Sequence, residues 1–353
     1  MYDLRLFQDR DSRKLKTIKS SMAEVDMKEN EIRKAKTFNR YLEIVKKDVE
    51  SFLNFHDFVQ IQCPACEGMD YLFEFKKDGF SYVSCKKCST LFVNPRPPFK
   101  ALKEFYSKSR STNFWINEFF KPVAEIRRAK IFRPQAEYIS KVLEGNNHHV
   151  VGDIGAGFGL FLEELRKIKP DNHYVAIEPS LEMADICAKK GLEVKCTSLE
   201  DINDNKEDFD LLTAFELVEH LFDPVLFFKK VYSLLKFKGY FFLTTLNSKG
   251  FDILLLWEKS KSIMPPHHLN FFNLMSIRLL LERLGFEIIE LATPGRLDCD
   301  IVEGMIKNEN VKLDRIWELL AYEGSEESKK NLQNLISESN LSSHMSVFAC
   351  KKG

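Results

Sequence analysis

The chain has 353 residues, 44% hydrophobic and 29% charged, with only 15 glycines and 12 prolines, which excludes collagen-like, low-complexity and wholly disordered chains and leaves room for two or three folded units. Lys+Arg and Asp+Glu both number 52, a formal charge of zero, which disfavours a nucleic-acid partner because polyanion binders ordinarily carry a basic excess. The apolar runs, such as Tyr240–Leu246, fall far short of the roughly 20 residues of a spanning helix, and the charged start MYDLRLFQDRD has no signal-peptide h-region.

In residues 1–60, Ile32, Ala35, Phe38, Leu42, Val45, Val49 and Leu53 recur at helical intervals with no Gly or Pro between them. This predicts an N-terminal segment of one or two amphipathic helices, either packed on a neighbouring domain or serving self-association. Residues 61–99 form a different unit. Cys63-x2-Cys66 and Cys85-x2-Cys88 flank two aromatic-rich runs that turn at Lys77-Asp78-Gly79, a hairpin signal. Four thiolates in two such pairs match a closed, structural zinc site, with an iron–sulfur centre or unrelated buried cysteines as the other readings. The remaining cysteines (Cys187, Cys196, Cys299 and Cys350) are scattered, which suits a reducing compartment, the cytoplasm, better than a disulfide framework. Residues 100–146 read as a helical connector or lid that stops at Gly145-Asn146-Asn147.

From 147 to the end, short β-rich runs alternate with helical stretches. Strands are expected at His149–Ile154, His173–Ile177, Glu193–Cys196, Phe209–Phe215, Gly239–Thr245, Phe286–Ala292 and Ser346–Lys351, with a helical insertion over about 296–344. Such alternation predicts an α/β fold with a doubly wound, mostly parallel sheet.

Within it, Gly155, Gly157 and Gly159 follow the first strand and allow a tight turn with close backbone approach to a ligand. Asp153, just before them, is placed to hold a cationic amino-acid group and would repel a pyrophosphate. Glu178, ending the next strand before Pro179, is placed to accept both hydroxyls of a ribose. Asp153–Gly159 together with Glu178 resembles the cofactor site of the class I S-adenosylmethionine (SAM)-dependent methyltransferases, a likeness that covers about 148–295 and the last strand. The resemblance implies a seven-stranded Rossmann-like sheet. It also implies SAM contacts at Asp153, Gly155, Ala156, Gly157, Glu178 and Pro179, adenine near Thr197, Ser198 and Leu199, and Phe215 under the methionine end.

Two clusters are candidates for the chemistry. Glu216, Glu219 and His220 follow the fourth strand. A similar E-x-x-E-H binds magnesium in some methyltransferases of this class, so Mg2+ is one reading; the other is that Glu219 and His220 cap and orient the loop. His267 and His268 follow Pro265-Pro266 on a constrained, non-helical backbone, where an imidazole can take a proton from an acceptor. With the four-cysteine unit, this set resembles the deoxysugar C-methyltransferases. That likeness implies His268 as the catalytic histidine, His267 in place of a glutamate and His220 as a third active-site histidine. It also implies a small polar acceptor: a nucleotide sugar, a glycan or a lipid-linked glycan precursor. The alternatives are an RNA methyltransferase using the ribbon and an Arg127-Arg128-Lys130-Arg133 patch, or a non-catalytic zinc-ribbon scaffold.

Overall fold

A computed structural model describes residues 27–143, 148–202 and 208–352. The expected stop at Gly145-Asn146-Asn147 and the first 26 residues of the N-terminal segment lie outside them. The strands are β1 (Tyr71–Lys77), β2 (Phe80–Cys85), β3 (Leu91–Val93), β4 (Val150–Ile154), β5 (His173–Ile177), β6 (Glu193–Lys195), β7 (Phe209–Phe215), β8 (Leu235–Leu246), β9 (Asn270–Phe271), β10 (Phe286–Ala292) and β11 (His344–Lys351).

Seven of them form one sheet in the order β10-β11-β8-β7-β4-β5-β6. Strands β4 to β8 are parallel, whereas β11 runs antiparallel to both β8 and β10. This is the expected doubly wound, Rossmann-like seven-stranded sheet. Its parallel strands read as continuous apolar runs because helices cover both faces. The strand order reverses between β4 and β7, and ligands of such sheets bind in the crevice at that switch point, outside the carboxyl ends of the strands. Gly155 and Glu216 are the residues that emerge there. Helices Leu160–Ile168, Leu181–Lys189, Pro224–Leu234 and Leu274–Arg283 connect the strands. Ser180, Asp223 and Asn273 cap the last three, each side chain accepting from a backbone N–H in the first turn. Helices Asp298–Glu309 and Glu326–Glu338 precede β11.

The cysteine unit is a second, antiparallel sheet of four strands, β1-β2-β3-β9. Asp78 and Gly79 turn β1 into β2 with φ of 46° and 90°, the left-handed pair that a tight hairpin requires. The fourth strand comes from far along the chain: Leu91 pairs with Phe271, and Phe92 with Asn270. The two sheets also share a core, since Cys63, Val83, Cys85, Cys88 and Phe92 pack in one apolar cluster with Ile177, Leu212, Phe272 and Ile277. Helix Ala35–Phe52 buries Phe38, Tyr41, Val45 and Val49 against Phe105, Phe119, Met264, Leu269 and Phe271. Of the two readings of this stripe, packing on the rest of the chain is the one its buried face shows. Among the described residues no helix is long and apolar enough to cross a membrane.

Candidate active site

The glycine loop leaves β4 with φ of 69°, 55° and 69° at Gly155, Gly157 and Gly159. A Cβ on Gly159 would lie 2.7 Å from Leu192 Cδ1, so the bend is tied to glycine by packing as well as by backbone angle. The Gly155 N–H donates to the Ile177 carbonyl at 2.8 Å and so holds the loop against β5.

Asp153 stands on the β4 face shared with Thr213, whose hydroxyl donates to its carboxylate at 2.7 Å. It is 3% exposed. Burial, aided by the charge of Glu178 and opposed by the Thr213 hydroxyl, pushes its pKa up to about 7. Glu178 is buried too, which raises its pKa. Its two oxygens accept from the N–H groups of Gly157 at 2.8 Å and Ser180 at 2.9 Å, and an ionised carboxylate keeps further lone pairs for ligand hydroxyls. The two acids, with Gly155, Ala156, Gly157 and Pro179, thus converge on the switch-point crevice. Ser198 and Leu199 begin the turn after β6, with the Ser198 hydroxyl donating to Asp201 at 2.8 Å. Phe215 is packed among the rings of Phe132, Phe161 and Phe242, at 6.1, 4.6 and 5.9 Å. The connector reaches the loop through an edge contact of Phe120 with Phe158 at 5.2 Å.

On the other side of the crevice, Glu216 ends β7 in the left-handed region, φ 48°, a strained conformation that clusters at functional sites. Its carboxylate lies 3.2 Å from His344 Nδ1, at the start of β11. Burial opposes a charge on His344, but Glu216, backed by Asp298 and Asp252, overrides it and lifts the pKa to about 9. Sequence reasoning missed His344 because β11 was expected to begin two residues later, leaving it in the preceding insertion.

Glu219 is 1% exposed and accepts from the Thr245 hydroxyl at 2.7 Å. Burial and the neighbouring Glu216 charge push it up to about 8, so it is largely a neutral acid at pH 7. The three histidines meet here: the His220 ring is 4.8 Å from His268 and 6.3 Å from His267. Burial lowers His220 to about 4 and His267 to about 3, and holds His268 well below its usual value. All three are neutral at physiological pH. His267 Nε2 shares a hydrogen bond of 2.9 Å with the Tyr41 hydroxyl. His268 Nδ1 lies 2.6 Å from the Ser262 carbonyl. A carbonyl only accepts, so Nδ1 carries the proton and Nε2 keeps a lone pair.

The Glu216, Glu219 and His220 set that the sequence offered as one reading is not assembled, because Glu216 pairs with His344. The side chains that do converge are Glu219, His220 and His268, with ligand atoms within 4.8 Å of one another. Two imidazole nitrogens and a single carboxylate are a poor match to magnesium, which takes oxygen ligands. The basic patch expected of an RNA enzyme is also absent as free charge. Arg128 pairs with Glu163 and Glu164, Arg133 with Glu164, and Lys130 with Glu31, while Arg127 lies over the Phe120 ring at 4.8 Å.

The four cysteines are close enough for one ion. Cys63 and Cys88 sulfurs are 3.5 Å apart, as are those of Cys66 and Cys85, and all four lie within 4.8 Å of one another. A tetrahedral zinc with Zn–S bonds of about 2.3 Å spaces its sulfurs at about 3.8 Å. Both knuckles turn back at the residue after their second cysteine, with φ of 57° at Glu67 and 56° at Ser89. A Cβ on Gly68 would crowd Cys66 Sγ at 3.3 Å. The contact with Cys88, and then burial, raise the Cys63 thiol; only a cation would favour four thiolates here. The donor set and its cradle fit zinc.

Residues 125–291 match the family described as a methyltransferase domain; β1 to β3 and β11 lie outside that match. A ubiquinone biosynthesis O-methyltransferase of Bradyrhizobium diazoefficiens is 27% identical over 181 residues, 44% of this chain and 70% of that protein. Its namesake from Actinobacillus pleuropneumoniae is 24% identical over 222 residues, 56% of this chain and 92% of that one. Among solved structures, a SAM-dependent methyltransferase of Thermotoga maritima, described as a possible histamine N-methyltransferase, has a TM-score of 0.45 at 19% identity. It covers 67% of this chain and 96% of that one.

Proposed function

We propose that this chain, a SAM-dependent methyltransferase, methylates a hydroxyl oxygen of a small acceptor held between the four-cysteine unit and the histidine loop, with His268 as general base. SAM, when bound, supplies an electrophilic methyl group on a sulfonium. Asp153 would hold the donor's ammonium, the Gly155–Gly157 backbone would face its methionine portion, and Glu178 would accept from its ribose hydroxyls. Pro179, Ser198 and Leu199 would hold the adenine, and Phe215 would support the methionine end. His268 Nε2 takes the acceptor's hydroxyl proton as the oxygen forms its bond to the methyl carbon. The electron pair of the broken S–C bond stays on sulfur, leaving S-adenosylhomocysteine. His220 and His267, both neutral, line the same side, and Glu219 holds the loop that carries His220.

The observation that carries this reading is the Ser262 carbonyl on His268 Nδ1: it presets the tautomer whose free nitrogen is a base. The depressed pKa keeps the imidazole neutral at physiological pH but also makes it a weaker base than an ordinary histidine, so of the roughly 10²–10⁴-fold that general-base assistance is worth, the lower end applies here. The relatives' names specify O-methylation, which favours oxygen over carbon as the acceptor atom. Those names place them in ubiquinone biosynthesis, so the nucleotide-sugar, glycan or lipid-linked glycan acceptor draws no support from them. The rings of Tyr41, Phe105 and Tyr106 pack directly on the His267 imidazole, with centroids 5.8, 5.4 and 5.4 Å away, and so hold it in place. We also assign a structural zinc ion to Cys63, Cys66, Cys85 and Cys88.

Calorimetric titration with S-adenosylhomocysteine tests the donor half, and absence of binding at micromolar concentrations refutes it. His268→Gln is expected to leave that titration unchanged and to lower turnover by about 10²-fold; unchanged turnover removes His268 from the mechanism.

A further inference from the structure

Arg96, three residues beyond β3, heads the largest wholly buried side chains of the protein, at 0% exposure, and it enters no ion pair among the described residues. Its guanidinium instead donates to three separate pieces of backbone. Nε reaches the Val93 carbonyl at 3.2 Å, at the end of β3. Nη1 reaches the Phe222 carbonyl at 2.9 Å, two residues past His220. Nη2 reaches the Leu269 carbonyl at 3.3 Å and the Asn270 side-chain oxygen at 2.9 Å, just after His267 and His268. The Asn270 amide extends the link, donating to Leu221 at 2.7 Å and Val218 at 3.3 Å. The Leu269 N–H donates to the Glu219 carbonyl at 2.8 Å, and the Tyr82 hydroxyl of β2 donates to the His268 carbonyl at 3.0 Å. One turn later, the Asn273 amide donates to the carbonyls of Cys88 and Ser89 at 3.0 Å each, inside the second cysteine knuckle.

We infer that Arg96 is a positioning residue for methyl transfer: it latches the loop bearing His220 to the loop bearing His268 and anchors both on the four-cysteine sheet. This rests on the reading of His268 as the base. An apolar side chain of similar length would fill the space but would leave the Val93, Phe222 and Leu269 carbonyls and the Asn270 side-chain oxygen without this donor, a desolvation cost at each buried acceptor. What a hydrophobe lacks is a rigid planar fork of N–H donors that fixes several acceptors relative to one another. Burial has lowered the guanidinium pKa to about 9, which marks the cost of holding it there. The cysteine unit, outside the residues matched to the methyltransferase domain, thereby acquires a role in the geometry of the acceptor side.

The test compares the parent protein with Arg96→Met and Arg96→Lys, using S-adenosylhomocysteine calorimetry and imidazole ¹H–¹⁵N spectra across pH 4–8. The groups facing the three imidazoles are Glu216 and Glu219 from the loop after β7, Tyr41 and Tyr106 from the covering helices, and Arg33. In the parent, the three rings are expected to stay neutral at pH 6. In Arg96→Met the donor affinity should hold within about twofold, as for a remote site, while at least His220 and His268 move toward the ordinary pKa of about 6.5. Arg96→Lys should fall between the two. Unchanged ring titrations in Arg96→Met with intact donor binding would overturn the inference alone. Loss of donor binding in both variants would also overturn it, making Arg96 an element of general stability. Rings that titrate near 6.5 in the parent would overturn the preset base and the latch together.

Discussion

Replacing Asp153 with asparagine isolates the charge on which the proposed donor binding rests. Buried beside Thr213, this carboxyl has its pKa pushed up to about 7 by burial, and an ammonium placed against it must pull that value down. Binding therefore favours the ionised form and releases a proton wherever the free protein still holds one. With a free-state pKa of about 7, the ionised fraction is about 0.9 at pH 8 and about 0.09 at pH 6, so affinity for S-adenosylhomocysteine should fall about tenfold between them. Near pH 7 about half a proton should be released per ligand bound. Calorimetric titrations at pH 6, 7 and 8, in two buffers of different ionisation enthalpy, read both quantities. Asp153→Asn should lose the pH dependence and weaken binding by about 1.5–3 kcal/mol, the worth of a charge-assisted hydrogen bond, or roughly ten- to hundredfold. The same shift has a stability sign. A carboxyl whose folded pKa lies above its unfolded value stabilises the fold at low pH and loses that contribution as pH rises toward 7, so ligand-free Asp153→Asn should melt higher than the parent at pH 8. Affinity that is flat from pH 6 to 8, or a slope that survives in Asp153→Asn, would refute the reasoning.

Native mass spectrometry should find one zinc ion per chain, lost in Cys85→Ser together with several degrees of melting temperature, because metal binding in such a unit is folding free energy; a Cys85→Ser protein that melts like the parent would rule out a structural role. The His344–Glu216 pair makes a pH prediction of the same sense at higher pH. His344 has a folded pKa of about 9, so its stabilisation is fully present below its unfolded value and lost as pH rises through about 9. His344→Gln should then flatten the decline in melting temperature between pH 7 and 10, and an identical decline in parent and variant would exclude the pair.

The parts of the site that were legible in the sequence are those whose partners are close along the chain. Cys63-x2-Cys66 and Cys85-x2-Cys88 declare themselves because each knuckle is local and a hairpin joins them. Asp153, the glycines and Glu178 are legible because one strand–turn–helix unit and the end of the next strand bring them together. Glu216 misled for the same reason: its spacing to Glu219 and His220 suggested a shared ion, but its left-handed backbone directs the carboxylate to His344, 128 residues away. The hairpin Tyr71–Cys85 was foreseeable. Its sheet's fourth strand was not, because β9 is two residues long and carries no periodicity.

Composition and pattern by themselves determined that this chain forms a doubly wound parallel sheet, that a glycine bend flanked by two acids opens at its edge, and that four cysteines gather beside it. Those features follow from alternation of apolar runs, backbone permissiveness at glycine and local spacing, all of which are short-range. Only the tertiary structure decided which tautomer His268 holds, that Glu219 is neutral while His344 is charged, and that Arg96 joins the cysteine sheet to both histidine loops. Each of these depends on burial and on partners from distant segments, and the free energy of a charge or a proton is set by its surroundings rather than by its place in the chain.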